Sequence, residues 1–156
     1  MIRLLFKQRF FSWFDSYDIY DQAGNVFFVV KGAPSWGHRL HIYNAVGEQL
    51  GLIQEEVLTF LPRFCLYIGN TYVGQIKKEF TFLKPRYTLE YKDWQIEGDV
   101  FGWDYNVTDG TRRVMHASKE LFRMTDTYVI DIERQEDVLY SLMIVLAIDA
   151  ANCSRN

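Results

Sequence analysis

The side chains best suited to bind a charged ligand lie close together near the middle of the sequence. They are four basic residues: Lys77, Lys78, Lys84 and Arg86. Phe80 and Phe82 stand between them. Cations beside apolar side chains can attract anionic lipid headgroups or an acidic protein surface. The same composition is typical of an ordinary solvated rim, and the formal net charge of −3 would oppose attachment to an anionic membrane.

Other reactive residue types are not spaced for catalysis or metal binding. His38 and His41 would lie on opposite faces of a strand, and we expect them and His116 to be surface or turn residues. Two cysteines, Cys65 and Cys153, are too few for a disulfide framework or a zinc site. The sequence contains no nucleophile elbow or phosphate-binding glycine loop. It therefore predicts no catalytic residue, no metal and no cofactor.

The elements that must position these residues are indicated by an internal repeat. One large apolar residue recurs at spacings of 23, 24, 23, 18 and 23 residues: Tyr17, Leu40, Phe64, Tyr87, Tyr105 and Tyr128. Periods of this length signal a repeated supersecondary unit. Each unit is predicted to be a strand, a turn and a strand, because Gly, Asn or Asp recurs at its middle and favours hairpin turns.

The repeat predicts twelve strands between about residues 2 and 133. Their expected ranges are 2–9, 16–21, 26–32, 38–43, 49–56, 63–68, 72–79, 86–91, 94–99, 103–108, 112–119 and 127–133. The three prolines, Pro34, Pro62 and Pro85, fall between the units. Proline cannot donate to a sheet ladder, so this placement agrees with the strand assignment.

The segment that follows Glu136 breaks this rhythm and predicts a helix over about residues 137–150. Its residues are apolar at every angle of the helical wheel, which is typical of a membrane span or a buried core helix. A span needs about 20 residues, and Asp149 interrupts this shorter run, so burial is favoured.

The strand count and the helix fit each other. Twelve strands about 4.8 Å apart and tilted by about 40° close a cylinder of roughly 12 Å radius. Inward side chains leave a channel of roughly 5–6 Å radius, which one helix would fill. The sequence therefore predicts a mainly β fold, a closed antiparallel barrel of about twelve strands around a central hydrophobic C-terminal helix. Residues 1–156 are expected to form a single domain.

Asp149 is unusual because it is a carboxylate near the end of an apolar helix. A buried charge without a partner is costly. We expect it at the barrel mouth, where it would accept hydrogen bonds from loop amides or an arginine. The alternative is a proton-linked or ligand-binding role.

Several motifs resemble those of the LURP-one-related family, and most closely its short bacterial members. The motifs are Phe11-Ser12-Trp13, Pro34-Ser35-Trp36, the segment 80–87, the segment 94–99 and the ending 145–149. This family is grouped with the tubby C-terminal domain and the phospholipid scramblases. The resemblance implies a twelve-stranded barrel around a central helix and no established activity. Tubby domains bind phosphoinositides at a basic surface, but no residue of that site is matched here.

The class of function that these observations favour is a non-enzymatic binding or scaffold domain. Anionic membrane lipid or an acidic protein surface is the expected partner of the basic cluster. The alternatives are a protein-interaction subunit without a small ligand and, less favoured, an enzyme with a site on the rim. The apolar run at Leu4 to Phe6 is too short for a signal-peptide core, and no run reaches the length of a membrane span, so a cytoplasmic location is expected.

Overall fold

The computed structural model describes residues 1–6, 16–33, 37–122 and 125–153 of the chain. Within them the backbone forms twelve strands, a short 3-10 turn and one α-helix. The strands are β1 (Ile2–Phe6), β2 (Ser16–Tyr20), β3 (Val26–Ala33), β4 (Arg39–Asn44), β5 (Gln49–Glu55), β6 (Arg63–Ile68), β7 (Thr71–Glu79), β8 (Arg86–Glu90), β9 (Trp94–Asp99), β10 (Asp104–Asp109), β11 (Arg112–Phe122) and β12 (Thr125–Ile132). The 3-10 turn spans Gln135–Asp137, and helix α1 spans Val138–Cys153.

All twelve strands belong to one antiparallel sheet that curls into a nearly closed barrel. Its order is β8-β7-β6-β5-β4-β3-β2-β1-β12-β11-β10-β9, so the first and last strands of the chain are neighbours. Five consecutive residue pairs join β1 to β12, from Ile2 opposite Ile132 to Phe6 opposite Tyr128. Within the described chain the ladder is interrupted at one place, between β8 and β9, which we call the seam.

The residues of the internal repeat occupy equivalent places in the barrel. They lie on the even-numbered strands, near the end at which each of those strands begins. Five of the six are buried, with exposures of 0–4%, and Tyr17 packs partly buried against the same core. Since side chains alternate between the two faces of a strand, these six side chains point inward at one level. The repeat unit is therefore an even-numbered strand together with the strand that follows it in the sequence.

Helix α1 fills the barrel. Ten successive residues, from Ser141 to Ala150, are all buried. The helix starts at the end of the barrel where β12 finishes, which we call the lower end. It finishes at the opposite, upper end, where the Tyr87 hydroxyl on β8 donates a hydrogen bond to the Asn152 side chain.

An ion pair between a partly exposed arginine and a buried carboxylate fixes the start of the helix. Asp137, 4% exposed, accepts a hydrogen bond from Arg112 Nη1 over 3.0 Å. Arg112 also donates to Asp109 at 3.3 Å. The bond to Asp137 is the main reason that the pKa of Arg112 is raised. Acidic charge at a helix N-terminus is favourable, and here it also ties α1 to the β10–β11 hairpin.

The predicted strands and helix are confirmed, with small differences at their ends. The first strand ends at Phe6 among the described residues, and residues 7–9 lie outside them. The motifs Phe11-Ser12-Trp13 and Pro34-Ser35-Trp36 also lie outside. The helix runs to Cys153, three residues beyond the predicted end. The predicted barrel was fully closed, whereas the ladder is open at the seam.

We expect Leu142→Ala to destabilise the protein by about 2–5 kcal/mol, because Leu142 is 0% exposed and truncation leaves a cavity around the helix. Urea unfolding followed by circular dichroism measures this change. Glu136→Ala, at an exposed position just before α1, is the matched control and should shift the free energy of unfolding by less than about 0.5 kcal/mol. Equal, small effects of the two substitutions would contradict a core helix.

Candidate binding surface at the upper end of the barrel

Exposed apolar side chains are concentrated at the upper end of the barrel. Because all strands are antiparallel, the β5–β6, β7–β8 and β9–β10 connections lie at this end. Together they carry seven exposed apolar residues, which we call the apolar rim: Val57, Leu58, Phe60, Phe80, Phe82, Leu83 and Phe101. Phe82 is 91% exposed and Leu83 is 96% exposed. A cluster of this kind on a folded domain marks a contact surface.

Two of these connections are held against each other. The backbone N–H of Lys78 donates to the Pro62 carbonyl over 2.9 Å, which joins the base of the β7–β8 connection to the β5–β6 connection. Within the former, the Phe80 and Phe82 rings pack edge to face with centroids 5.2 Å apart. The apolar rim is therefore partly organised by its own contacts.

Leu58 is held outward by an unusual backbone conformation. Its φ of 64° lies in the left-handed region, which costs a residue with a side chain about 1–2 kcal/mol. Its side chain is nevertheless fully exposed. The fold thus tolerates local strain at a position where the side chain contributes nothing to the core, and such strain is often found at binding sites.

The structure separates the four basic residues that the sequence groups together. Lys77 points outward from the barrel wall, where its Nζ lies 2.7 Å from Glu90 Oε1. This ion pair, with a further bond from Gln75, lowers the pKa of Glu90. Lys78 alternates with it along β7 and is half-buried. Lys84, in the β7–β8 connection, and Arg86, at the start of β8, are exposed.

Lys84 and Arg86 are thus the two predicted cations that lie beside the apolar rim with their charges in solvent. Among the described residues, no carboxylate lies within 4.0 Å of either side chain. The nearby Arg63 is paired with Glu56 at 3.3 Å. Within the described ranges, Lys84 and Arg86 supply exposed positive charge beside the apolar rim.

A cleft opens beside these two cations along the seam. It has a volume of about 1060 Å³ and is lined by residues 81–89, 92–98 and Val100. The strands that flank it are joined at the lower end by the short connection 91–93, where the Trp94 N–H donates to the Tyr91 carbonyl. The cleft is therefore closed at its lower end, and at its upper end the apolar rim and Arg86 border it.

The lower end of the seam is fixed by aromatic packing. Tyr91 stacks on Tyr140 of α1 with centroids 4.2 Å apart, and it meets Trp94 edge to face at 4.8 Å. Gly74 on β7 makes room for this turn, because a Cβ there would collide with the Glu90 carbonyl oxygen and approach Tyr91 Cβ at 3.1 Å. The cleft is therefore closed by this packing at its lower end and open at its upper end.

Asp149 lies inside the barrel rather than in solvent. It is 5% exposed, and the C-terminal part of α1 brings it towards the upper end. The pKa values of the Tyr17 and Tyr105 phenols are raised, mainly by burial and further by the negative charge of Asp149. The carboxylate thus belongs to the polar interior of the upper barrel. Its predicted hydrogen bonds to loop amides or an arginine stay a prediction.

The histidines and the described cysteine side chain sit apart from the cleft. His38, His41 and His116 contact Glu55, Gln49 and Asn106 respectively. Cys65 is a free, buried cysteine whose thiol donates to Glu56 Oε1 at 3.2 Å, and the side chain of Cys153 lies outside the described part. Within the described ranges, no group of three or more His, Cys, Asp and Glu side chains could hold a metal ion. No helix among them is long and apolar enough to cross a membrane.

The fold and the cleft define a class of protein, a nearly closed twelve-stranded β-barrel with a helix through its centre and no recognisable catalytic group among the described residues. A sequence model of the LURP-one-related family matches residues 2–149. The chain belongs to the LURP-one-related family, as its motifs indicated.

Two known proteins illustrate this membership. The uncharacterized protein YxjI of Bacillus subtilis is 33% identical over 150 residues, which cover 96% of this chain and 93% of that protein. The X-ray structure of a protein from Arabidopsis thaliana superposes with a TM-score of 0.62 at 16% identity, covering 96% of this chain and 90% of that one. The second likeness supports the fold alone. Neither match names an enzymatic activity.

We expect Gly74→Ala to lower the free energy of unfolding by about 1–3 kcal/mol or more, because the new Cβ meets a backbone carbonyl that cannot move without displacing the turn. Thermal unfolding provides the measurement. Thr71→Ala, at the exposed start of the same strand, should change the melting temperature little. If both variants melt alike, the close approach of β7 to the seam turn is absent in solution.

We expect Cys65 to react slowly with alkylating agents. Burial, followed by the hydrogen bond and charge of Glu56, raises the pKa of its thiol to about 11 from 9.0. At pH 8 the thiolate fraction then falls by about 100-fold relative to an unshifted thiol. Iodoacetamide labelling of a Cys153→Ser variant, followed by mass spectrometry, tests this. Labelling of the native protein as fast as that of the urea-unfolded protein would contradict it.

Proposed function

We propose that residues 1–156 form a single, non-enzymatic binding domain of the tubby-like type that docks through its upper end on anionic membrane lipid at a cytoplasmic membrane face. The observation that carries this proposal is the apolar rim beside Lys84 and Arg86. Apolar side chains that insert at a bilayer surface, flanked by cations that meet anionic headgroups, form a recurrent pattern of interfacial binding.

The apolar side chains are expected to contribute more of the binding free energy than the cations. Burial of an exposed Phe or Leu side chain contributes about 1.5–3 kcal/mol when complete. Each cation near an anionic membrane contributes about 1 kcal/mol, and salt screens that contribution. Lys84 and Arg86 alone would hold the protein weakly, and the net charge of −3 opposes them. Several rim side chains inserting together would more than offset this repulsion.

Of the four basic residues that the sequence predicts as ligands, this proposal retains two. Lys77 belongs to an ion pair on the barrel wall and points away from the upper end, so we assign it no headgroup contact. Lys78 lies at the base of the β7–β8 connection and supports that connection through its backbone bond to Pro62. Lys84 and Arg86 are the proposed headgroup ligands.

Co-sedimentation with vesicles tests the proposal. We expect binding to vesicles of phosphatidylcholine and phosphatidylserine that exceeds binding to phosphatidylcholine alone at low salt. The double variant Phe82→Ser/Leu83→Ser should weaken binding to both vesicle types by at least tenfold. Lys84→Glu/Arg86→Glu should remove the preference for the anionic vesicles and leave the residual apolar binding.

Matched controls exist at other parts of the surface. Val46 and Tyr72 are exposed apolar residues of the lower end, so Val46→Ser/Tyr72→Ser removes similar side chains outside the proposed contact. Arg113→Glu/Arg134→Glu reverses two exposed charges far from the rim. Loss of binding in these controls, or no binding to anionic vesicles at low salt, would overturn membrane docking and leave a protein surface as the partner.

A further inference from the structure

We propose that the cleft binds the headgroup of a zwitterionic aminophospholipid, with the phosphate at Lys84 and Arg86 and the primary ammonium at Glu97. Phosphatidylethanolamine is the simplest lipid with this chemistry. The inference rests on the proposed membrane docking, because the cleft opens beside the apolar rim. It adds to docking a preference among lipids that exposed cations alone would not provide.

The two walls of the cleft carry exposed charges of opposite sign. Arg86 at the start of β8 and Glu97 on β9 both line the cleft. Among the described residues, no ion pair joins either side chain to a partner. The cleft volume of about 1060 Å³ is at the upper end of the range of about 300–1,000 Å³ that is usual for small-ligand sites. Opposite charges held apart across such a space are complementary to a ligand that carries both charges.

The acidic residue that stands opposite Arg86 in the sheet is already engaged. Glu79 on β7 pairs with Arg86 in the strand register, but its Oε1 accepts a hydrogen bond from the Thr88 hydroxyl over 2.7 Å. The Arg86 guanidinium keeps its N–H groups for a ligand, and guanidinium groups bind phosphate through two parallel hydrogen bonds. Lys84, exposed two residues earlier, adds a second positive charge for the same phosphate.

Arg86 and Glu97 lie at nearly the same height in the cleft. β8 runs down to the connection 91–93 and β9 runs up from it, so residue counts along the strands measure height above that connection. Arg86 lies four residues before Glu90, the last residue of β8, and Glu97 lies three residues after Trp94, the first residue of β9. At about 3.3 Å per residue, Glu97 is roughly one residue deeper. A lipid phosphate at the mouth would meet Arg86, and the ammonium beyond it would reach Glu97.

The other two charges in the cleft offset each other at its closed end. Lys92 and Asp93 are adjacent in the connection 91–93, and both line the cleft. Lys92 Nζ lies over the rings of Tyr91 and Trp94, 5.2 and 5.8 Å from their centroids. One cation and one carboxylate leave this end without net charge. The charges that select the ligand are therefore those of the upper part.

The wall around Glu97 favours a primary ammonium over a trimethylammonium. A primary ammonium has three N–H donors, and Glu97 and Gln95, which share the outer face of β9, offer it oxygen acceptors. A trimethylammonium has no donor and is bound by cages of aromatic rings. The aromatic side chains of the two flanking strands, Tyr87 and Trp94, are buried instead. The additional carboxylate of a phosphatidylserine headgroup would be repelled by Glu97.

Soluble headgroups test the site without a membrane. In amide NMR titrations of the full chain, we expect glycerophosphoethanolamine to bind saturably, with a Kd below about 10 mM and with shifts centred on residues 86–88 and 95–98. Glycerophosphocholine should bind at least fivefold more weakly. Glu97→Gln should remove this difference between the two ligands, whereas the matched variant Glu136→Gln, exposed at the lower end, should keep it.

A charge reversal gives an outcome that misfolding cannot imitate. The native protein should prefer glycerophosphoethanolamine to glycerol 3-phosphate, although the second ligand carries more negative charge. Glu97→Lys should invert this order, because it adds a third cation beside Lys84 and Arg86. Equal affinity of the native protein for the two ligands, or an unchanged order in Glu97→Lys, would overturn the inference.

Vesicles distinguish this inference from membrane docking itself. At a fixed share of phosphatidylserine, replacing half of the phosphatidylcholine by phosphatidylethanolamine should strengthen co-sedimentation of the native protein at least threefold. Glu97→Gln should lose that gain and bind the vesicles without phosphatidylethanolamine at least as well as the native protein. An equal gain in both proteins would overturn the headgroup site and leave docking intact. No binding to any vesicle would overturn docking and, with it, a lipid as the source of the headgroup.

Discussion

The structure depends on one constraint, which is that α1 is apolar all round and has no polar face to turn towards water. Leu142, Met143 and Ile144 follow one another around the helix, and each is at most 1% exposed. A helix that packs on a flat sheet hides only one stripe of its surface, so an all-round apolar helix requires a wall that encircles it. Twelve strands give a barrel wide enough to admit one helix, and the inward residues of the repeat complete the packing around it.

The barrel wall around α1 is built from a repeated hairpin, and this repeat also explains where the wall is incomplete. The spacing of the repeat falls to 18 residues between Tyr87 and Tyr105, and the seam lies inside that shortened unit. The connection 91–93 ties the two strands together at the lower end, where Tyr91 packs on α1. Higher up, β8 and β9 are not joined by ladder pairs. The same place in the fold thus combines an open edge, a cleft and exposed cations.

The strands and the helix could be predicted well because the pattern of neighbouring residues in the sequence indicates both. The period of the repeat, the turn residues and the uniformly apolar C-terminal run each follow from neighbouring positions. The open seam could not be predicted this way, since pairing between strands is a tertiary property, although the short spacing after Tyr87 was a usable signal. The basic cluster was predicted as a group, but only the folded structure reveals that Lys77 forms an ion pair with Glu90 and lies apart from Lys84. The exposure of Val57 and Leu58 could not be predicted from the sequence, because it depends on the loop conformation.

The position of α1 after all twelve strands has a consequence for folding during synthesis. A ribosome releases β1 to β12 before the helix that fills them, so the barrel lacks its core until α1 emerges. The long-range pairing of β1 with β12, from Ile2 to Ile132, must also wait for nearly the whole chain. Strand hairpins made earlier would expose their inward apolar faces for that time, and they would be prone to aggregate. Closure of the barrel around its core is therefore a late event, which must wait for α1.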